Sequence, residues 1–360
     1  MAGTPDRAFR ELRIGLVLYG GASLAVYMNG IVTELWQVLR ASQARQGGGA
    51  AALTGSAAGY RELLDALAAA EGTVDLRIVV DAIAGTSAGG LNGAVLAKAI
   101  IDGGDAAVLN EVWINDGDIE RLRAEPALGA PRLLRWVLGA GTTLIAPLHR
   151  LRGKVASLPG LDWAWARDQT WSLLRSTDGG RTVLDGTYFT EMIADTFRRM
   201  DERRGPALLP RYGTLDLFLT RTDFHGWPRH LPVTPLFEKV PLYERTHAHW
   251  MRFSRRPRGE VEAVSGFDEP HADFSLTYAT RTTAGFPVAF APVSYAEVAD
   301  AFRHKRPGDP VPALEAFARR HLPEHRLARS GPGWDWAGHA WMVDGGILDN
   351  KPFSYVTEAI

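Results

Sequence analysis

The sequence predicts an α/β fold of three layers, in which helices cover both faces of a mainly parallel central sheet. An apolar strand, a glycine turn and a helix follow one another twice, over residues 13–39 and again over residues 76–100. Such units place successive strands in parallel, with their helices packed on the sheet. The 360 residues, 46% of them apolar and 22% charged, are sufficient for one large domain, which we expect to span residues 1–360.

The first unit contains a predicted strand at residues 13–19, the pair Gly20 and Gly21, and an amphipathic helix over residues 24–39. A glycine pair at this point exposes backbone N–H groups beside a helix N-terminus, which favours an anion or an oxyanion. A dinucleotide-binding loop is the alternative, but the spacing G-x-G-x-x-G is absent here.

The second unit has the pattern G-x-S-x-G directly after a strand rich in β-branched residues. Gly85 and Gly89 flank Ser87 in this pattern, and a helix of small residues follows. The spacing places the serine on a strained turn between strand and helix, where larger neighbours would crowd the backbone. We therefore predict Ser87 as a nucleophile. The alternative is a glycine turn that binds phosphate or only shapes the backbone.

A serine nucleophile needs a base, and an aspartate before two glycines at a strand end is a good candidate. Asp-Gly-Gly occurs at Asp178, within a polar run typical of an ordinary turn, and at Asp344, after a short apolar strand. We predict Asp344 as the base. A histidine base is the alternative, and the candidates are His225, His271, His304, His321 and His339.

The other elements are predicted from periodicity and turn residues. They are a loop at 43–58, a short helix at 61–70, mostly helical structure at 102–210 with an amphipathic helix at 185–200, a strand at 214–220 with its exit turn at 222–226, an irregular stretch or hairpin excursion at 228–270, a short helix within 277–292 and charged helices at 295–329. We expect 102–210, 228–270 and 295–329 to be insertions. The chain stops at Ile360, a few residues into a predicted helix, which is typical of the N-terminal part of a longer protein.

Composition narrows the classes of function. The net charge of −1 gives no reason to expect nucleic-acid binding, and the absence of cysteine excludes disulfides and thiolate chemistry. Neither a signal peptide nor an apolar run of 18 residues is present, so we expect a cytoplasmic protein. Residues 131–152 are apolar with arginine flanks. We favour a buried helix pair there over a lid or a peripheral membrane contact.

Three blocks together resemble a known family. Gly20-Gly21, the segment from Gly85 to Gly90, and Asp344-Gly345-Gly346 resemble, in the same order, the hallmark blocks of patatin-like phospholipases, here a bacterial patatin-related protein. Residues 216–226 and 279–292 resemble two softer blocks of that family. The resemblance covers most of the chain and leaves only the three expected insertions outside its motifs.

The resemblance implies a patatin-like fold and hydrolysis of lipid acyl esters, as in a phospholipase A or a lysophospholipase-like esterase. It implies a dyad of Ser87 and Asp344, an oxyanion held by the N–H groups of Gly20, Gly21 and Ala22, a lipid or acyl-ester substrate, and neither metal nor cofactor.

The first block departs from the family pattern Gly-Gly-Gly-x-Arg/Lys-Gly. Ala22, Leu24 and Ala25 stand at the third glycine, the basic residue and the last glycine. The backbone can still supply donors there, but the local positive charge is absent. A catalytically silent binding module is therefore a further alternative.

Overall fold

The structure, a computed structural model, describes residues 9–21, 24–46, 53–70, 75–116, 184–230, 243–257, 266–287, 289–322 and 340–360. The predicted segment 131–152, Ala22, Asp178 and His339 lie outside these residues.

The described part of the chain forms a five-stranded sheet in the order β1-β2-β3-β4, with β5 also paired to β3. The first three strands are parallel, and the last two run antiparallel to β3. The strands are β1 (Phe9–Leu18), β2 (Asp75–Gly85), β3 (Leu215–His230), β4 (Tyr243–Arg255) and β5 (Met342–Asp344).

Side chains alternate across the sheet, as the period of a strand requires. Ile83 and Leu217 belong to the large core on one face, whereas Ala84 and Phe218 pack with Val356 on the other.

The helices are α1 (Ala25–Arg45), α2 (Ser56–Ala69), α3 (Ala88–Asp102), α4 (Val108–Asn115), α5 (Gly186–Glu202), α6 (Ala272–Thr283), α7 (Tyr295–Lys305), α8 (Leu314–His321) and α9 (Phe353–Ala359). Helix α9 covers the second face, so the predicted three-layer α/β/α fold is confirmed.

Helix α3, which follows the serine turn, lies in the centre of the core. All residues from Ala88 to Ile101 are buried. Small residues at its start allow this burial, because a side-chain carbon added at Gly90 would lie 2.4 Å from a methyl carbon of Thr283 on α6. The composition that predicts a helix of small residues thus also determines how closely α3 packs.

Strand β3 corrects one prediction. Residues 222–226 do not end the strand, because pairing with β4 resumes at Trp227 after a register shift. The carboxylate of Asp223 accepts the N–H groups of His225 and Gly226, and Gly226 has a φ of 71°. This is a bulge that contains the aspartate and glycine typical of a turn. The same residue types therefore predict a strand end where the strand continues.

Strand β4 lies within residues 228–270, where proline and charge predict an irregular stretch or a hairpin excursion. The antiparallel pairing of β4 with β3 agrees with the hairpin, whereas residues 243–255 are a regular strand and not irregular. Its alternate residues Met251 and Phe253 are buried, while Trp250 and Arg252 are more exposed. Composition alone does not reveal this alternation, because prolines and charged residues flank the strand.

The remaining helices largely agree with prediction, with shifted ends. Helix α5 begins after Asp185, whose carboxylate accepts the N–H groups of Thr187 and Tyr188. Helices α7 and α8 are charged on the outside as expected, but Phe302 and Phe317 on their inner sides belong to the main core. The residues from 43 to 45 and from 56 to 58, predicted as loop, lie in α1 and α2.

Candidate active site

The ends of β2 and β5 meet on one edge of β3. Strand β4 pairs with one edge of β3 over residues 215–222. Strands β2 and β5 both pair with the opposite edge of β3. Gly85 at the end of β2 pairs with Leu219, and Asp344 at the end of β5 pairs with Arg221. Because the two strands run in opposite directions, the residues that follow Gly85 and those around Asp344 converge beside Thr220.

Ser87 lies on a strained turn between β2 and α3. Its φ of 55° and ψ of −126° make it the one non-glycine residue with positive φ in the described part of the chain. A side-chain carbon added at Gly89 would lie 2.2 Å from the carbonyl oxygen of Leu18, and one at Gly85 would lie 2.7 Å from that of Gly89. Such strain persists where the surroundings enforce it, which is typical of functional turns.

The hydroxyl of Ser87 donates to the carboxylate of Asp344. Ser87 Oγ lies 2.6 Å from Asp344 Oδ2, across 257 residues of chain. The other oxygen, Oδ1, accepts the N–H of Gly346 at 2.7 Å. Both carboxylate oxygens are therefore held by donors, and the plane of the group is fixed towards the serine.

Burial dominates the electrostatics of Asp344, which is 1% exposed. Loss of hydration raises the pKa of this carboxyl from its ordinary value of 3.8 to about 7, against the lowering effect of the two hydrogen bonds and of Arg281. Near neutral pH, about half of such carboxyl groups are ionised and can accept a proton. The protonated form can then give the proton back, as a catalytic base must.

Arg281 on α6 is a buried cation whose charge acts on this carboxylate. Its guanidinium packs against the stacked rings of Phe189 and Phe290, and its Nη1 has no hydrogen-bond partner among the described residues. Burial lowers the pKa of Arg281 to about 10, whereas Glu297 and Asp344 raise it. Gly285 lies near both residues, because its carbonyl accepts the N–H of Asp344 at 3.0 Å and a side-chain carbon added there would lie 3.0 Å from Arg281 Nη1.

Three threonine hydroxyls connect the serine turn to its neighbours. Thr86 Oγ1 lies 2.7 Å from Thr220 Oγ1 and donates to the carbonyl of Asp349 at 2.9 Å. Thr283 Oγ1 accepts the N–H of Ser87 at 3.1 Å. Thr86 and Ser87 are thus held by hydrogen bonds to β3, to α6 and to the segment after β5.

The predicted oxyanion loop approaches the serine closely. A side-chain carbon at Gly20 would lie 2.9 Å from Ser87 Cβ. Gly21 has a φ of 152°, which favours glycine, and its carbonyl accepts the N–H of Leu24. The N–H of Gly20, however, donates to Asn350 Oδ1 at 2.9 Å.

The four candidate histidine bases among the described residues lie in environments other than the serine turn. His321 packs on Phe317, and burial together with nearby cations lowers its pKa to about 3. His304 bonds Glu191 at 2.7 Å. His271 precedes α6, whose far end contacts Ser87 through Thr283, and 12 helical residues span about 18 Å. His225 has an exposed side chain on the β3 bulge.

A family model described as patatin-like phospholipase matches residues 16–357. The chain belongs to the patatin-like phospholipase family. The match begins within β1 and ends within α9, and the name of the family denotes lipid hydrolysis. A curated relative, an uncharacterized membrane protein of Mycobacterium tuberculosis, is 25% identical over 362 residues, which cover 98% of this chain and 26% of the relative. The chain therefore spans about a quarter of that relative's length. No solved structure matches this patatin-like chain.

In the part of this patatin-like chain that the structure describes, no three His, Asp or Glu side chains cluster as ligands for a metal ion. Among the same residues, no helix has both the length and the apolar character needed to cross a bilayer.

Sequence reasoning missed Arg281, Asn350 and the threonine contacts of this patatin-like site. Arg281 lies within the softer block at 279–292, and Asn350 follows the Asp-Gly-Gly block by only four residues. The closeness of both residues to recognised motifs was the available signal. A single sequence, however, does not reveal which residue near a motif contacts another loop.

Proposed function

We propose that the chain is a lipid acyl hydrolase that uses Ser87 as nucleophile and Asp344 as base. The observation that carries this proposal is the 2.6 Å hydrogen bond from Ser87 Oγ to Asp344 Oδ2, made by a serine in a strained strand-to-helix turn. The geometry fits the logic of an activated nucleophile, in which a weakly acidic hydroxyl is held against its base. Membership of the patatin-like phospholipase family supports the substrate class.

In the first half-reaction, Ser87 Oγ attacks the ester carbonyl carbon while Asp344 accepts the hydroxyl proton. The carbonyl oxygen becomes an oxyanion, which backbone N–H groups of the glycine loop stabilise at about 3 kcal/mol for each donor. Collapse of this intermediate breaks the ester bond, and the alcohol leaves with the proton from Asp344. A general base contributes roughly 10²–10⁴-fold to such a step.

In the second half-reaction, water replaces the serine as nucleophile. Asp344 takes a proton from the water, which attacks the acyl carbon, and then returns it to Ser87 Oγ as the acyl–serine bond breaks. The fatty acid is released, and the enzyme regains its starting protonation state.

The decisive experiment compares hydrolysis of a fluorogenic acyl ester and of phospholipid vesicles by the wild-type chain, Ser87→Ala and Asp344→Asn. We expect both variants to lose at least about 10³-fold in kcat while remaining folded. Ser56→Ala is the matched control, because this exposed serine on α2 also donates to a carboxylate, that of Glu34. Full activity in Ser87→Ala would refute the proposal.

A histidine base or a silent binding module would give different results. With a histidine base, Asp344→Asn would stay active, and a histidine variant would not. A silent module would leave Ser87 unlabelled by a fluorophosphonate probe and would show no serine-dependent hydrolysis of either substrate.

A further inference from the structure

Asn350 lies on a segment that is anchored beside the serine turn. The carbonyl of the preceding residue, Asp349, accepts hydrogen bonds from the hydroxyls of Thr86 and Thr220, at 2.9 and 3.3 Å. The N–H of Asp349 donates to the carbonyl of Gly345 at 2.8 Å. These contacts fix the backbone from which the Asn350 side chain projects.

The side chain of Asn350 reaches the glycine loop at the end of β1. Its Oδ1 accepts the N–H of Gly20 at 2.9 Å, across 330 residues of chain. A side-chain carbon at Gly20 would lie 2.3 Å from that oxygen, and one at Gly346 would lie 3.1 Å from it. One carboxamide oxygen thus lies against both the glycine loop and the loop that holds Asp344.

The orientation of this amide follows from its partner. A backbone N–H can only donate, so the atom that faces Gly20 must be the carboxamide oxygen and not the amino group. The N–H of Gly20 is consequently occupied. The N–H of Gly21 makes no hydrogen bond to any residue that the structure describes.

We propose that Asn350 is a positioning residue for the glycine loop, and that the N–H of Gly21 binds the oxyanion while Gly20 stays on Asn350. This inference rests on the proposed function, and it revises the expectation that Gly20 itself supplies a donor. A misplacement of about 1 Å at such donors can cost about 10²-fold in rate, which gives the contact its importance.

The test uses two substitutions of similar size. Asn350→Leu removes the acceptor, whereas Asn350→Asp keeps an oxygen where Gly20 needs one. For Asn350→Leu we expect kcat to fall about 10²-fold with a much smaller change in KM, and amide hydrogen exchange in the peptide spanning residues 19–24 to accelerate. Asn350→Asp should retain slow exchange there, although its charge beside the developing oxyanion will lower kcat.

Asn110→Leu is the matched control. Asn110 is also half-buried, and its carboxamide oxygen also accepts one hydrogen bond between two elements, from Asn29 on α1. It should leave kcat and the exchange of residues 19–24 unchanged. Wild-type kcat and exchange in Asn350→Leu, at an unchanged Tm, would overturn the inference.

A phosphonate adduct of Ser87 gives a direct view of the donors. We expect its phosphoryl oxygen to accept the N–H of Gly21 while Gly20 remains on Asn350. An oxygen bound by Gly20, with Asn350 displaced, would refute the inference and leave the hydrolase proposal intact. If the wild-type chain neither hydrolyses esters nor reacts with phosphonates, the proposed function fails, and the exchange comparison still decides whether Asn350 holds the loop.

Discussion

At the scale of single residues, opposing influences act on Asp344. Burial favours its neutral form, while the hydroxyl of Ser87, the N–H of Gly346 and the charge of Arg281 favour the ionised one, with a resulting pKa of about 7. For the proposed reaction, the ionised form is the active one. We therefore expect kcat/KM to rise with pH through an apparent pKa near 7. A profile that is flat from pH 5 to 8 would contradict this assignment.

Substitution of Arg281 tests the electrostatic part of this balance. Arg281→Met keeps much of the packing against Phe189 and Phe290 but removes the cation, so the acidic limb of the kcat/KM profile should move to higher pH. A residue that only supports packing would lower activity without moving the limb. Arg40→Met is the control, because its guanidinium also lies on a ring, that of Trp36, on α1.

The raised pKa of Asp344 also makes stability depend on pH. The folded state keeps a proton that the unfolded chain releases near pH 4, so this contribution is complete below that pH and is lost as pH rises through about 7. Asp344→Asn carries no titrating proton. We expect urea denaturation to show a smaller loss of stability between pH 4 and 7 in this variant than in the wild type.

At the scale of elements, the serine turn depends on the close approach of β1. A methyl group at Gly89 would lie 2.2 Å from the carbonyl oxygen of Leu18 and 2.6 Å from that of Tyr19, and backbone atoms cannot yield cheaply. Gly89→Ala should cost at least about 2 kcal/mol in the free energy of unfolding and abolish hydrolysis.

Gly30→Ala is the control for this prediction. Gly30 lies inside α1, and an added methyl group there meets nothing within 4 Å. Alanine should stabilise the chain by about 0.4–1 kcal/mol, because it restricts the unfolded state. Equal urea midpoints for the two variants would show that the turn tolerates a side chain.

The elements also show where sequence reasoning succeeds. Strand, glycine turn and helix around Ser87 are predictable because local composition and local geometry agree there. The bulge at Asp223 and Gly226 misleads because the same residues that end a strand can also interrupt it. The contact of Asn350 with Gly20 depends on the tertiary approach of two loops, which no local pattern encodes.

At the scale of the whole molecule, a partly buried ionic cluster around Lys98 joins α3 to α5 and α6. Lys98 on α3 is 1% exposed and contacts Asp102, Asp201 on α5 and Asp273 on α6 at 3.1, 2.8 and 2.8 Å. Arg306 contacts two of the same carboxylates at 3.1 and 2.9 Å. Burial lowers the pKa of Lys98, but the carboxylates outweigh it and the pKa is raised.

Removal of the lysine charge would leave three half-buried carboxylates with one cation fewer. We expect Lys98→Met to lower the free energy of unfolding by about 1–3 kcal/mol, because Arg204 and Arg306 still contact these carboxylates. Lys305→Met is the control, since this exposed lysine lies 3.7 Å from Glu191 and should change stability by less than about 1 kcal/mol. Similar urea curves for the two variants would show that the cluster is not stabilising.

The separation of Ser87 and Asp344 along the chain has a consequence for biosynthesis. A ribosome delivers the serine turn 257 residues before its carboxylate partner, and N-terminal parts of a chain generally fold first. Nascent polypeptides carrying the completed turn would still lack the proposed base. Under the proposed mechanism, ester cleavage begins only after residue 344 has been translated and has paired with β3, so the incomplete chain is inactive.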